Sequence, residues 1–124
     1  MIEVVFGGVQ HFGVKNDYHV NGKDFDFRLQ LVSNQIHCAG LFRRSSCINI
    51  GGYDEELTQG YEDWEFYIRL LSQAGKAVEC KEITLFYRRK FVSRSTEIGE
   101  LNVGGELENY IFSKNYFSKK FFKL

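Results

Sequence analysis

An α/β fold is predicted by three features of the sequence. These are a β-type run at residues 2–9 (IEVVFGGV), a helical apolar period within 62–74, and a second β-type run at 78–87. The first run is interrupted by Gly7-Gly8. His11 to Lys23 is polar, with turn signals at Lys15-Asn16-Asp17 and Asn21-Gly22. Asp24 to Ser33 alternates at first and then turns apolar-periodic, so its pattern alone fits strand or helix. Ile36 to Phe42 suits a buried strand. Ser45 or Ser46 can cap a short helix, and Gly51 stands where a left-handed C-terminal residue belongs.

The clearest helix spans Glu62 to Ala74. Trp64, Tyr67, Ile68 and Leu71 fall at i, i+3, i+4 and i+7 and define one apolar face, and Gly75 is placed to end the helix. In the run from Val78 to Tyr87 the alternation slips near Lys81-Glu82, which predicts a bulge. Glu97 to Phe122 reads as mostly helical, weakly broken at Gly104-Gly105.

The composition bounds the function. With 124 residues, 44% hydrophobic and 16% aromatic, the chain can bury one domain-sized core and is not of disordered type. Formal net charge is zero, so nothing global points to nucleic acid. Three cysteines without CxxC spacing argue against a disulfide framework or a zinc site and fit free thiols in a reducing cytoplasm. His11, His19 and His37 lack the spacing of metal ligands. No signal peptide or membrane-length apolar run is read in the chain.

The chemistry concentrates in Gly51-Gly52-Tyr53-Asp54-Glu55, Gly60-Tyr61-Glu62-Asp63-Trp64-Glu65-Phe66, Arg69-Leu70 and Gly75. A Gly-Gly loop lets backbone approach a ligand. An acidic pair then opens a helix, where the N-terminal dipole favours the charged form, and a carboxylate held at a cleft-facing helix start suits removal of a proton from a hydroxyl. Asp63 is offset about 100° from Trp64 at 3.6 residues per turn, and Glu65 about 200° from Asp63, so Glu65 is expected to point away from the same spot.

This series resembles the signature of family 2 glycosyltransferases of the GT-A type. Asn34-Gln35-Ile36-His37 with Leu41-Phe42-Arg43-Arg44 is similar to the strand and Arg turn upstream of it. Tyr87-Arg88-Arg89 with Ser93 is similar to the segment after the next strand. The resemblance covers residues 1–95 and favours a helix within 24–33. It implies the C-terminal, acceptor-side part of a GT-A (nucleotide-diphospho-sugar transferase) fold, a small mixed sheet with flanking helices. Residues 96–124 would form a C-terminal helical extension.

The resemblance further implies inverting transfer from a nucleotide-sugar donor to a glycan or lipid-linked acceptor hydroxyl, in cell-envelope or surface polysaccharide synthesis. Asp63 would be the general base. Glu62, Trp64, Gly51, Gly52, His37, Arg88 and Lys90 would contribute to substrate binding. For Trp64 a core role competes, and for Arg69 a helix-to-loop salt bridge is expected.

A complete enzyme would use a divalent metal, Mn or Mg, on the donor diphosphate, but no metal ligand is assigned in this chain. Asp24-Phe25-Asp26 does not follow a buried apolar strand and reads as a turn or helix start. Lys90 stands where the family often has His. Because the donor-binding half has no counterpart here, the chain is expected to be one half of a larger transferase, with little activity alone and an apolar sheet edge exposed. The rival class is a non-catalytic module that assembles with another chain. Self-association, a cytoplasmic location and a membrane contact through the Lys/Phe-rich residues 114–123 complete the expectations.

Overall fold

A computed structural model describes residues 1–73 and 75–114. The chain runs β1 (Ile2–Gly13), β2 (Tyr18–His19), α1 (Phe27–Val32), β3 (Leu41–Phe42), α2 (Arg44–Asn49), α3 (Glu62–Ser72), β4 (Lys76–Arg89), α4 (Arg94–Leu101) and α5 (Gly104–Ser113). This is an α/β chain with a small mixed sheet, consistent with part of a GT-A-like domain. β1 is central. On one side it pairs parallel with β4, and on the other it pairs antiparallel with β3 at Val4–Val5 and with β2 at Val9–Gln10. The parallel pairing requires a crossover, which α3 supplies.

The strands are longer than the sequence patterns suggest. β1 continues through Gly7-Gly8 to Gly13 because β4 pairs with it as far as Gly13↔Arg89. The register jumps from Phe6↔Glu79 to Gly8↔Thr84, so residues 80–83 bulge out of β4 at the predicted slip. Gly7 permits that bulge: a Cβ there would overlap the Ile83 carbonyl oxygen. The expected strand over 36–42 is reduced to Leu41–Phe42, with Ile36 buried in the core and a turn between them.

Residues 24–33 resolve as a helix start. The Asp26 side chain accepts the Arg28 backbone N–H at 2.8 Å and caps α1, while Phe25 meets Phe6 edge to face. α2 begins without a serine cap. Its Ser46 hydroxyl donates instead to Glu3 at 2.5 Å. At its end Gly51 (φ 82°) and Gly52 (φ 75°) turn the chain back, and their N–H groups reach the Ile48 and Cys47 carbonyls at 3.0 Å.

α3 is buried on more than the predicted face. Phe66, Tyr67, Leu70 and Leu71 pack toward the sheet with Val4, Phe6, Ile36 and Ala77. Trp64 and Ile68 pack on the other side with Leu31, Leu57 and Ile111 of α5. A helix wedged between two apolar layers has no solvent stripe, and full burial of each large side chain stabilises by about 1.5–3 kcal/mol. The helix ends at Ser72, before Gly75. The long C-terminal helix divides at Asn102 (φ 54°) into α4 and α5, and its expected part beyond 114 lies outside the described residues.

Candidate functional site

The Gly51-Gly52 loop and the start of α3 are tied together by Arg69. Its guanidinium takes both oxygens of Glu65 at 2.7 and 2.8 Å and donates to the Ile50 and Gly52 carbonyls at 2.7 Å each. Glu65 is fully buried, so it faces this inner clamp. Lys114 approaches the same carboxylate at 3.8 Å and also pairs with Asp54. The turn entering α3 carries Tyr61 in the left-handed region (φ 62°), an uncommon conformation for a side chain of that size.

Asp63 sits in the first turn of α3, half-buried. Its Oδ1 accepts the Trp64 backbone N–H at 2.7 Å, and the nearby Asn34 side chain favours its charged form. Burial pushes the Asp63 carboxyl above its ordinary value and the Glu62 charge adds to that, against the Trp64 and Asn34 hydrogen bonds. This corrects the expectation from the helix dipole alone: desolvation outweighs the N-terminal field, and Asp63 is more basic than a solvated aspartate.

The Asp63 charge is felt by His37, Cys38, Tyr53 and Tyr67. His37 donates through Nε2 to the Gly7 carbonyl at 3.1 Å and accepts the Ala39 N–H on Nδ1 at 3.2 Å, which defines the neutral tautomer. Burial lowers its pKa in the same sense. The Tyr67 hydroxyl donates to the His37 carbonyl at 3.3 Å, and burial pushes the Tyr67 phenol above its usual value. Tyr53 stacks on Phe66 at 4.5 Å. A cavity of about 220 Å³ opens beside His37, lined also by Gly7, Asn34, Gln35 and His19.

The chain's other expected site residues separate from this group. Glu62 accepts from Arg94 at 3.2 Å, and Arg94 also holds the Thr58 carbonyl at 2.6 Å, so Glu62 braces the loop before α3. Trp64 is buried. Its indole N–H donates to the Gln30 carbonyl at 2.6 Å, and its ring packs against Tyr61 and Phe112, which leaves no free face for a sugar and makes it a core residue. Arg88 lies over the Phe12 ring at 5.4 Å near the end of β4, and Lys90 is exposed just beyond. Among the described residues neither hydrogen-bonds to the Asp63 group.

A family model, described as glycosyltransferase like family 2, matches residues 23–118. The chain belongs to glycosyltransferase-like family 2. Neither the comparison with curated proteins nor that with solved structures returned a match. In this family 2 chain the matched span includes α1 through α5, so the two C-terminal helices fall within it, and Ile111 of α5 belongs to the same apolar cluster as Trp64.

Around Asp63 the described side chains do not supply a donor set for a divalent metal. Asp26 is committed to its helix cap, and the neutral His37 has both ring nitrogens engaged. Among the described residues, no helix is long and apolar enough to cross a membrane. Of the expected membrane-contact segment 114–123, all but Lys114 lies outside the described residues.

Sequence reasoning missed three parts of this region. The Glu65/Arg69 clamp was visible as an i, i+4 acid–base pair, but its burial was not. The contact of Asn34 with Asp63 had no local signal, since it spans the α1–α3 packing. Local spacing also gave no sign that a hairpin brings His11 and His19 to either side of Asp17.

Proposed function

We propose that this chain supplies the acceptor side of an inverting, nucleotide-sugar-dependent glycosyltransferase, with Asp63 as general base. The observation that carries the reading is a half-buried carboxylate of raised basicity, held by the Trp64 N–H at the start of α3 in a family 2 chain. The Asp63 carboxylate takes the proton of the acceptor hydroxyl as its oxygen bonds to the anomeric carbon. The bond from that carbon to the nucleotide diphosphate breaks on the opposite face, which inverts the configuration.

The other residues position. The Gly51-Gly52 backbone, held by Arg69, gives a bare wall that a sugar can approach closely. Neutral His37 has both ring nitrogens engaged and leaves the proton to Asp63. Arg88 and Lys90, at the end of β4, offer positive charge to a departing diphosphate. Residues 1–95 would be the acceptor part and 96–124 a helical extension. Mn or Mg, where used, would be held by carboxylates outside this chain. The acceptor would be a glycan or lipid-linked glycan of the cell envelope, elongated at the cytoplasmic face of the membrane.

A second reading, a module that assembles with another chain or with its own copy, rests on the outer edge of β4. No described strand pairs there, and Val78, Ile83 and Phe86 are exposed, as are Phe91 and Val92 beyond it. The two readings separate on one assay. Sugar transfer with the chain alone or supplied with a donor-binding half, lost in Asp63→Asn while donor binding persists, supports the enzyme. Transfer unaffected by Asp63→Asn contradicts it.

A further inference from the structure

The β1–β2 hairpin gathers side chains that the transfer reaction does not use. The His11 backbone N–H donates to the Asp17 carbonyl at 2.8 Å and closes the turn, and β2 then sets His19 opposite Val9. Residues two apart on a strand share a face, so His19 and His11 stand as diagonal neighbours on one side of the pair. The Gln10 amide braces the turn through the Asp17 carbonyl at 3.1 Å and the Asn16 side chain at 3.3 Å.

Asp17 lies between the two imidazoles. His11 Nδ1 is 2.7 Å from one carboxylate oxygen and His19 Nε2 is 2.8 Å from the other. The ligand atoms of all three residues lie within 4.8 Å of one another. The rings meet edge to face at 5.5 Å, and Tyr87 of β4 closes the far side of His11 at 5.8 Å.

We propose that His11, Asp17 and His19 bind a divalent transition-metal ion with the ligand preference of zinc. Two imidazoles and one carboxylate suit zinc and its neighbours, whereas magnesium and calcium prefer oxygen sets. An ion about 2.0–2.2 Å from each ligand spaces tetrahedral ligand atoms roughly 3.3–3.6 Å apart, a distance that small ring rotations reach from the present arrangement. The nitrogens that now face the carboxylate are the ones that would ligate, so no ring must flip.

The carboxylate stays charged. Desolvation pushes Asp17 up, but hydrogen bonds from His11, Lys15 and His19 together outweigh it and hold it at about 2. Lys15 now provides a positive charge at 3.2 Å from Asp17, on a side chain that is 55% exposed and can swing into water when a metal enters. Three protein ligands leave a fourth position for water or for a group from a bound molecule.

Zinc chloride titrated calorimetrically into the full chain, with reductant present, is the test. The expected result is one ion per chain, bound at least about tenfold more weakly by His11→Gln and by His19→Gln, and as tightly or more tightly by Lys15→Ala. His19 is 65% exposed, so its variant keeps the fold even if the His11 variant does not. Cobalt substitution should give a visible ligand-field band that the His19 variant lacks. No binding, binding unchanged in the His19 variant, or binding lost in Cys38→Ser or Cys80→Ser instead would overturn the proposal.

Discussion

Arg69→Met removes the group that neutralises Glu65 while keeping most of the side-chain volume. Glu65 is fully buried and takes two of its hydrogen bonds from Arg69, and the Ile50 and Gly52 carbonyls each lose a charged donor. Stranding a buried charge by deleting its partner costs about 3–5 kcal/mol. The Arg69 side chain is 17% exposed and Lys114 remains 3.8 Å from Glu65, so the expected loss sits at the low end, about 3 kcal/mol. For a chain of this size that lowers the melting temperature by on the order of 10 °C. Glu65→Gln retains acceptor capacity and leaves Arg69 with a route to water, so it should cost less. The double variant Glu65→Leu/Arg69→Met should recover part of the loss, because it removes the stranded charge. Urea unfolding of the three variants measures this series. A loss below about 1 kcal/mol for Arg69→Met, or a double variant less stable than Arg69→Met alone, would refute the clamp.

Other perturbations test separate parts of the structure. Asp63→Asn should stabilise the fold at neutral pH. The folded-state pKa lies above the usual 3.8, so the folded chain holds its proton longer and loses stability as pH rises through that raised value. The gain should be absent well below the usual 3.8 and grow as pH rises above it, and a pH-independent difference in urea midpoint would count against it. Gly7→Ala should destabilise by about 1–3 kcal/mol, since the new methyl meets the Ile83 backbone rather than a movable side chain. An unchanged denaturation midpoint there would mean that the β4 bulge is not fixed. Phe66→Ala should lose about 3–5 kcal/mol, as the residue is fully buried between the sheet and Tyr53, and a surface-sized effect would contradict that packing.

Periodicity reached the elements whose surroundings are simple. α3 was legible because Trp64, Tyr67, Ile68 and Leu71 repeat with the helix, and the β4 bulge because the alternation of Val78 and Cys80 breaks before Ile83 and Leu85. Gly51 was legible because a left-handed helix end selects glycine. What local pattern could not carry was the second layer. Phe66, Leu70 and buried Glu65 lie off the predicted face: the first two pack on the sheet with Val4, Phe6 and Ala77, and Glu65 is held by Arg69. The extension of β1 to Gly13 through polar residues depends on β4 as a partner, a tertiary effect. At the site, the carboxylate was legible from the Glu62-Asp63 pair at a helix start. Its basicity was not, because the burial that raises it is set by tertiary packing and not by the local pattern.

Removal of the acceptor proton by Asp63 is the chemical core of the proposed function. Its most direct test is single-turnover transfer of labelled sugar from a panel of nucleotide sugars, comparing wild type with Asp63→Asn, with donor affinity measured in parallel. The assay uses the chain supplied with a donor-binding half. A loss of roughly 10²- to 10⁴-fold in the chemical step, with donor affinity retained, is the predicted result. Transfer by the Asn variant at near wild-type rate would contradict it and leave Asp63 as a structural acid at the start of α3.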